Sequence, residues 1–151
     1  MDAKLRRLAD YFLAARDAAA VNPKAIDPKL LPHIFILDVE RGEPGPRLRI
    51  RMTGTEFARV FGRPVDGHHL EEFIHGPRGA DVMEGFHDCA TSRTPVWMRQ
   101  VVRLPDKAPR FVEGVAVYLE PARLYGGLVV GEVSLDERTV PFEKEKLLLP
   151  A

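Results

Sequence analysis

Leu5, Leu8, Phe12, Ala15 and Ala19 recur at helical spacing, with Arg7, Asp10 and Asp17 opposite them. Apolar residues three and four apart share one face of a 3.6-residue repeat, which predicts an amphipathic helix of about five turns. Asn22-Pro23 stops it, because proline cannot continue a helix. A connector punctuated by Pro23, Pro28 and Pro32 follows, and the period then changes. Ile34-Phe35-Ile36-Leu37 is apolar at consecutive positions and runs into the turn-rich Gly42-Glu43-Pro44-Gly45-Pro46. Beyond it Leu48, Ile50 and Met52 alternate with Arg47, Arg49 and Arg51, a period-two strand with one apolar face. The two segments predict a hairpin.

Residues 54–61 read as a short helix with Gly62 as its stop. A turn at 64–67, a second short helix at 68–74 and a third at 79–92, before Pro95, come next. Three strands close the pattern, at 96–104, 111–119 and 128–134, separated by turns at 105–107 and 121–127. Residues 34–37, 115–119 and 128–130 are apolar without alternation, so both faces of the sheet are predicted to be covered. The middle helices reach one face only. The N-terminal helix, from the same chain or a second copy, is the predicted cover of the other.

The pattern divides the 151 residues into an N-terminal amphipathic helix (1–22), one domain (23–134) and a C-terminal tail (135–151). The 22 basic and 22 acidic residues cancel. That balance argues against nucleic acid or an anionic membrane as the main partner, since both select a basic excess. No run approaches the roughly 18 apolar residues of a membrane span, and Asp10, Arg16 and Asp17 interrupt any signal-peptide core. Cys89 is the only cysteine, which excludes an intrachain disulfide or a cysteine-based zinc site. The expected location is the cytoplasm.

Signatures of catalysis are missing. Neither Ser92 nor Ser134 lies in Gly-x-Ser-x-Gly, and no phosphate-binding glycine loop, dinucleotide fingerprint or His-Glu-x-x-His occurs. Cys89 reads as a buried apolar thiol. His68, His69 and His75 with Glu71 and Glu72 are the densest group of metal-ligand types, and on a helix His68, Glu72 and His75 would share a face. Their spacing matches no metal signature, and a solvated helix is the expectation. Arg47, Arg49 and Arg51, with Arg99 and Arg103, read as a solvent face paired with carboxylates. Trp97 alternates away from Met98 and Val102 and is expected on the outer sheet face.

Ile26-Asp27-Pro28, then Leu31-Pro32-His33-Ile34-Phe35, resembles the lead-in to the first strand of a small stand-alone bacterial subfamily of PAS domains. Arg49 to Thr55, Phe61-Gly62-Arg63 and Asp66-Gly67 are similar to that subfamily's second strand and following helix. The resemblance spans about residues 23–134. It implies an α+β fold: a PAS-like five-stranded antiparallel sheet with short helices on one face, here with the N-terminal amphipathic helix added. It further implies a non-enzymatic sensor or docking module in signalling, with a small-molecule cavity between helices and sheet. Phe57, Phe61, Phe73, Val82, Phe86, Met98 and Val102, each on the apolar face of its element, are the expected lining. No cofactor or metal is expected. Some PAS sensors hold haem through a histidine at the place of His87, here at the boundary of its helix. Flavin-binding members use asparagine and glutamine amides and an Asn-Cys-Arg motif, whereas this chain has only Asn22, in the connector, and Gln100. The expected partners are a second copy, through the N-terminal helix and the outer sheet face, and a signalling protein. A small curved-sheet enzyme (isomerase or thioesterase-like) and a ligand-free structural adaptor are the alternatives.

Overall fold

In the computed structural model residues 1–74, 76–103, 109–132 and 143–146 are described, without side chains at 76–78, 102–103, 109, 132 and 143–146. Helix α1 (Ala3–Ala15) starts at Asp2, whose carboxylate accepts the N–H of Lys4 at 2.7 Å and so satisfies one free donor of the first turn. The helix stops at Ala15 rather than continuing to Asn22-Pro23. Arg16 takes a positive φ of 69°, a backbone region that L-residues rarely adopt and that costs on the order of 1–3 kcal/mol. The chain beyond it is held elsewhere. The N–H of Ala18 donates to the Glu120 carbonyl at 2.7 Å, and Asp17 caps a 3₁₀ turn (Ala18–Ala20). A tertiary contact overrides a run of helix-favouring alanines.

Strands β1 (Ile34–Glu40), β2 (Arg47–Thr53), β3 (Val96–Arg103), β4 (Pro109–Leu119), β5 (Arg123–Glu132) and β6 (Glu143–Lys146) form one antiparallel sheet, ordered β2-β1-β5-β4-β3-β6. The first five are the PAS-like sheet expected. Strand β6 adds a sixth at the β3 edge, from within the stretch read as a tail. The turn between β4 and β5 covers residues 121–122, not 121–127. Gly126 and Gly127 lie inside β5, where they serve close packing instead. A Cβ on Gly126 would stand 2.5 Å from Phe35 Cζ, and one on Gly127 2.6 Å from Leu8 Cδ1.

The single apolar face expected of β2 is also corrected. Ile36 pairs with Met52 but Leu37 with Ile50, so a bulge at Arg51 interrupts the ladder. The extra residue reverses the alternation. Leu48 and Ile50 join the cluster under the helices, while Met52 packs on the opposite side.

Helix α2 (Thr55–Phe61) ends at Gly62 with φ 74°, as expected. Helix α3 (Gly76–Ser92) begins earlier than 79, with Pro77 in the first turn, where a missing N–H is tolerated. The helix expected at 68–74 is reduced to one 3₁₀ turn (Leu70–Glu72). Its first residues are strapped to the outer edge of β2. The N–H of Gly67 donates to Ile50 at 2.7 Å, and the N–H of Ile50 donates to His68 at 2.8 Å.

Two cores result. On the outer face α1 lies over β4 and β5, burying Leu5, Leu8 and Phe12 against Ile36, Val115, Val117 and Tyr125. Each such side chain contributes roughly 1.5–3 kcal/mol. The Phe12 and Tyr125 rings lie 5.3 Å apart. The cover of this face therefore comes from the same chain.

Candidate functional site

Between the inner face and the helices over it lies an apolar compartment filled by packed side chains. Strands supply Phe35, Leu37, Leu48, Ile50, Val96 and Met98; α2 supplies Phe57, and α3 supplies Val82, Met83 and Phe86. Of the expected lining, Phe57, Val82, Phe86 and Met98 are buried together, and Phe61 and Phe73 pack partly buried against them. The side chain of Val102 lies outside the described residues. Phe35, which the sequence marked only as a strand residue, is the hub. Its ring is 5.4 Å from Phe57 and 5.8 Å from Phe86, and the series continues from Phe57 to Phe61 at 5.2 Å and Phe73 at 5.5 Å. Tilted and edge-on rings at such distances attract beyond their area of burial. Its position on the same face as Leu37 and Val39 was the available signal.

Polar groups border the compartment. The Glu71 Oε1 atom accepts the N–H of Leu48 at 2.8 Å and lies 3.1 Å from His87 Nε2. His69, buried, places Nε2 2.6 Å from Glu40 Oε1, and Arg49 Nε donates to the other Glu40 oxygen at 2.9 Å. The His69 hydrogen bond, then that from Arg49, holds the Glu40 carboxyl below its ordinary pKa. Sequence reasoning grouped His69 with Glu71 in one helix and missed their links to Glu40, Arg49 and His87. Cys89 is buried within the cluster, and burial pushes its thiol up to about 12. Gln100 shares the Val96–Met98 side of β3 and leaves its Oε1 atom buried without a hydrogen-bond partner.

The expected ligand cluster is dispersed. His68 pairs with Glu72 at 3.2 Å, His69 with Glu40 and Glu71 with His87, while His75 lies outside the described residues. For haem, His87 Nε2 would first have to leave Glu71. The flavin amide set does not fit either: Asn22 Oδ1 caps the N–H of Lys24 in the connector, and Cys89 Sγ points at the Ala116 carbonyl inside the packed cluster. Among the arginines, Arg49 and Arg51 pair with Glu40 and Asp38, and Arg99 lies 4.7 Å from the Phe111 ring centre. Trp97 donates from Nε1 to Glu113 Oε2 at 2.8 Å, and the N–H of Asp2 donates to the same oxygen at 2.7 Å. The start of α1 thus reaches Trp97 within one chain. Among the described residues no helix is long and apolar enough to cross a membrane.

The architecture is similar to two solved structures. A LOV protein of Rhodobacter sphaeroides superposes with a TM-score of 0.53 at 12% identity, over 91% of this chain and 73% of that one. A fungal LOV domain photoreceptor gives 0.51 at 15% identity, over 85% of this chain and 94% of that one. The chain has the α+β PAS/LOV fold. At these identities the likeness defines the fold alone. No protein-family model and no curated protein sequence matches the chain.

Proposed function

We propose that this chain is a non-enzymatic PAS-type sensor or docking module in bacterial signalling, binding a small apolar ligand and/or a protein partner. The observation that carries the reading is the apolar cluster under α2 and α3, where Phe57, Phe61, Phe73, Val82, Phe86 and Met98 pack together. Apolar walls with few polar groups are the usual chemistry of a small-molecule site. The burial of Cys89, its thiol pushed up to about 12, supports a binding role over nucleophilic chemistry. Assembly as a homodimer belongs to the same reading. Its contact would use the flanks of α1 and the Trp97 side of the sheet, because the apolar stripe of α1 is buried within one chain. Native mass spectrometry tests the ligand: the expected result is a non-covalent adduct in the range of a small molecule, lost on denaturation. The bare chain mass, with no uptake of an added apolar fluorescent probe, would instead support a ligand-free adaptor.

A further inference from the structure

The proline-rich connector leaves a cleft on the outer side of the sheet, apart from the apolar compartment. Its path is set by two 3₁₀ turns (Pro23–Ala25 and Leu31–His33) and by Tyr11. The Tyr11 hydroxyl donates to the Asn22 carbonyl and accepts the Asn22 N–H, both at 3.2 Å. The connector closes onto the end of β2 because residue 54 is glycine. A side chain there would run into the carbonyls of Leu31 and Pro32. The bulge at Arg51 turns Met52 to this side. Between them lies an open cleft of about 350 Å³, walled by Pro23, Leu31, Ile34 and Met52 and bounded by Lys24 and the Thr53–Gly54 backbone. That volume is at the small end of the roughly 300–1,000 Å³ typical of small-molecule sites, and suits a short chain.

The polar groups select the ligand. The Thr53 hydroxyl is committed to Asp66 Oδ1 at 2.6 Å, which also places a negative charge at that end. Lys24 is the only charged residue in the lining, is exposed, and has no ion-pair partner among the described residues. We propose that the cleft binds a single-chain apolar carboxylate, its tail on Leu31, Ile34 and Met52 and its headgroup at Lys24. The unbranched thioether of Met52 adapts to such a tail.

The test is a titration of the full ¹⁵N-labelled chain with octanoate and, in parallel, with octanol, followed by amide NMR. Saturable shifts are expected at Lys24, Thr53 and Gly54. Octanoate should bind tighter than octanol by up to about fivefold, the upper end of one exposed ion pair. Lys24→Gln should abolish that preference, and Met52→Trp should block both ligands by filling the cleft. Both positions lie outside the fully buried core, so folded variants are expected. Equal affinities in the unsubstituted protein would overturn the charge selection. Saturable shifts at Phe57 and Met98 instead would put the ligand in the compartment and overturn the site, as would no saturation at all. Because the cleft and the compartment are separate, failure here leaves the sensor reading standing on its own test.

Discussion

Ile50 and Met52 are two residues apart on β2, yet they face opposite sides of the sheet, because Arg51 is an extra residue in the ladder with β1. Ile50 is fully buried under the helices and Met52 only partly buried beneath the connector. Truncation should separate them. Ile50→Ala removes core volume and is expected to cost about 2–5 kcal/mol, whereas Met52→Ala, at a half-open site, should cost under about 1.5 kcal/mol. Urea unfolding of the two variants measures this. Equal losses would contradict the bulge.

The glycine pair in β5 makes a graded prediction. A Cβ on Gly126 meets the Val115 carbonyl and the Phe35 ring, so backbone must move, whereas one on Gly127 meets the flexible ends of Leu8 and Leu5. Gly126→Ala should therefore destabilise by about 3 kcal/mol or more, and Gly127→Ala by less. A double variant, Gly127→Ala with Leu8→Ala, should show favourable coupling, since the second change vacates the space the first one needs. Additive losses would place Leu8 elsewhere.

Phe12 lies 1% exposed against Tyr125. Phe12→Asp buries a charge without a partner, at a cost of at least about 3 kcal/mol. If α1 packs within its own chain, the loss appears as a lower unfolding midpoint independent of protein concentration. Light scattering on the same samples separates this from assembly. A variant that stays folded with an unchanged midpoint, and merely halves its mass, would mean that α1 packs on a second copy instead.

Glu40 sets a pH dependence. Its folded pKa is depressed below the ordinary 4.5, first by the His69 hydrogen bond and then by Arg49. A depressed carboxylate contributes stability that is complete above its unfolded pKa and lost as pH falls through the folded one. Glu40→Gln should therefore flatten the acid side of the stability profile below about pH 4.5. An unaltered acid limb would remove the linkage.

Cys89 gives a simple accessibility test. With its thiol pushed up to about 12 and the side chain 1% exposed, almost no thiolate is present or reachable at pH 8. Ellman's reagent should label the protein only after denaturant unfolds it. Fast labelling of the native protein would reveal an opening of the compartment at α3.

The sequence by itself determined the order of elements, the PAS-type sheet and most of the apolar residues that pack together under α2 and α3. These are carried by local period, and period survives folding. The amphipathic stripe Leu5, Leu8 and Phe12, the unalternating apolar runs of β1, β4 and β5, and the stops at Gly62 and Pro95 needed no partner to be legible. Tertiary structure decided what depends on a residue far along the chain. The Glu120 carbonyl ends α1 early, the edge of β2 unwinds the helix expected at 68–74, and the Arg51 bulge sends Met52 to the other face. Gly126 and Gly127 read as a turn because glycine has the same signature whether it frees the backbone or makes room. Only the Phe35 and Leu8 side chains, 91 and 119 residues away in sequence, reveal that here it makes room.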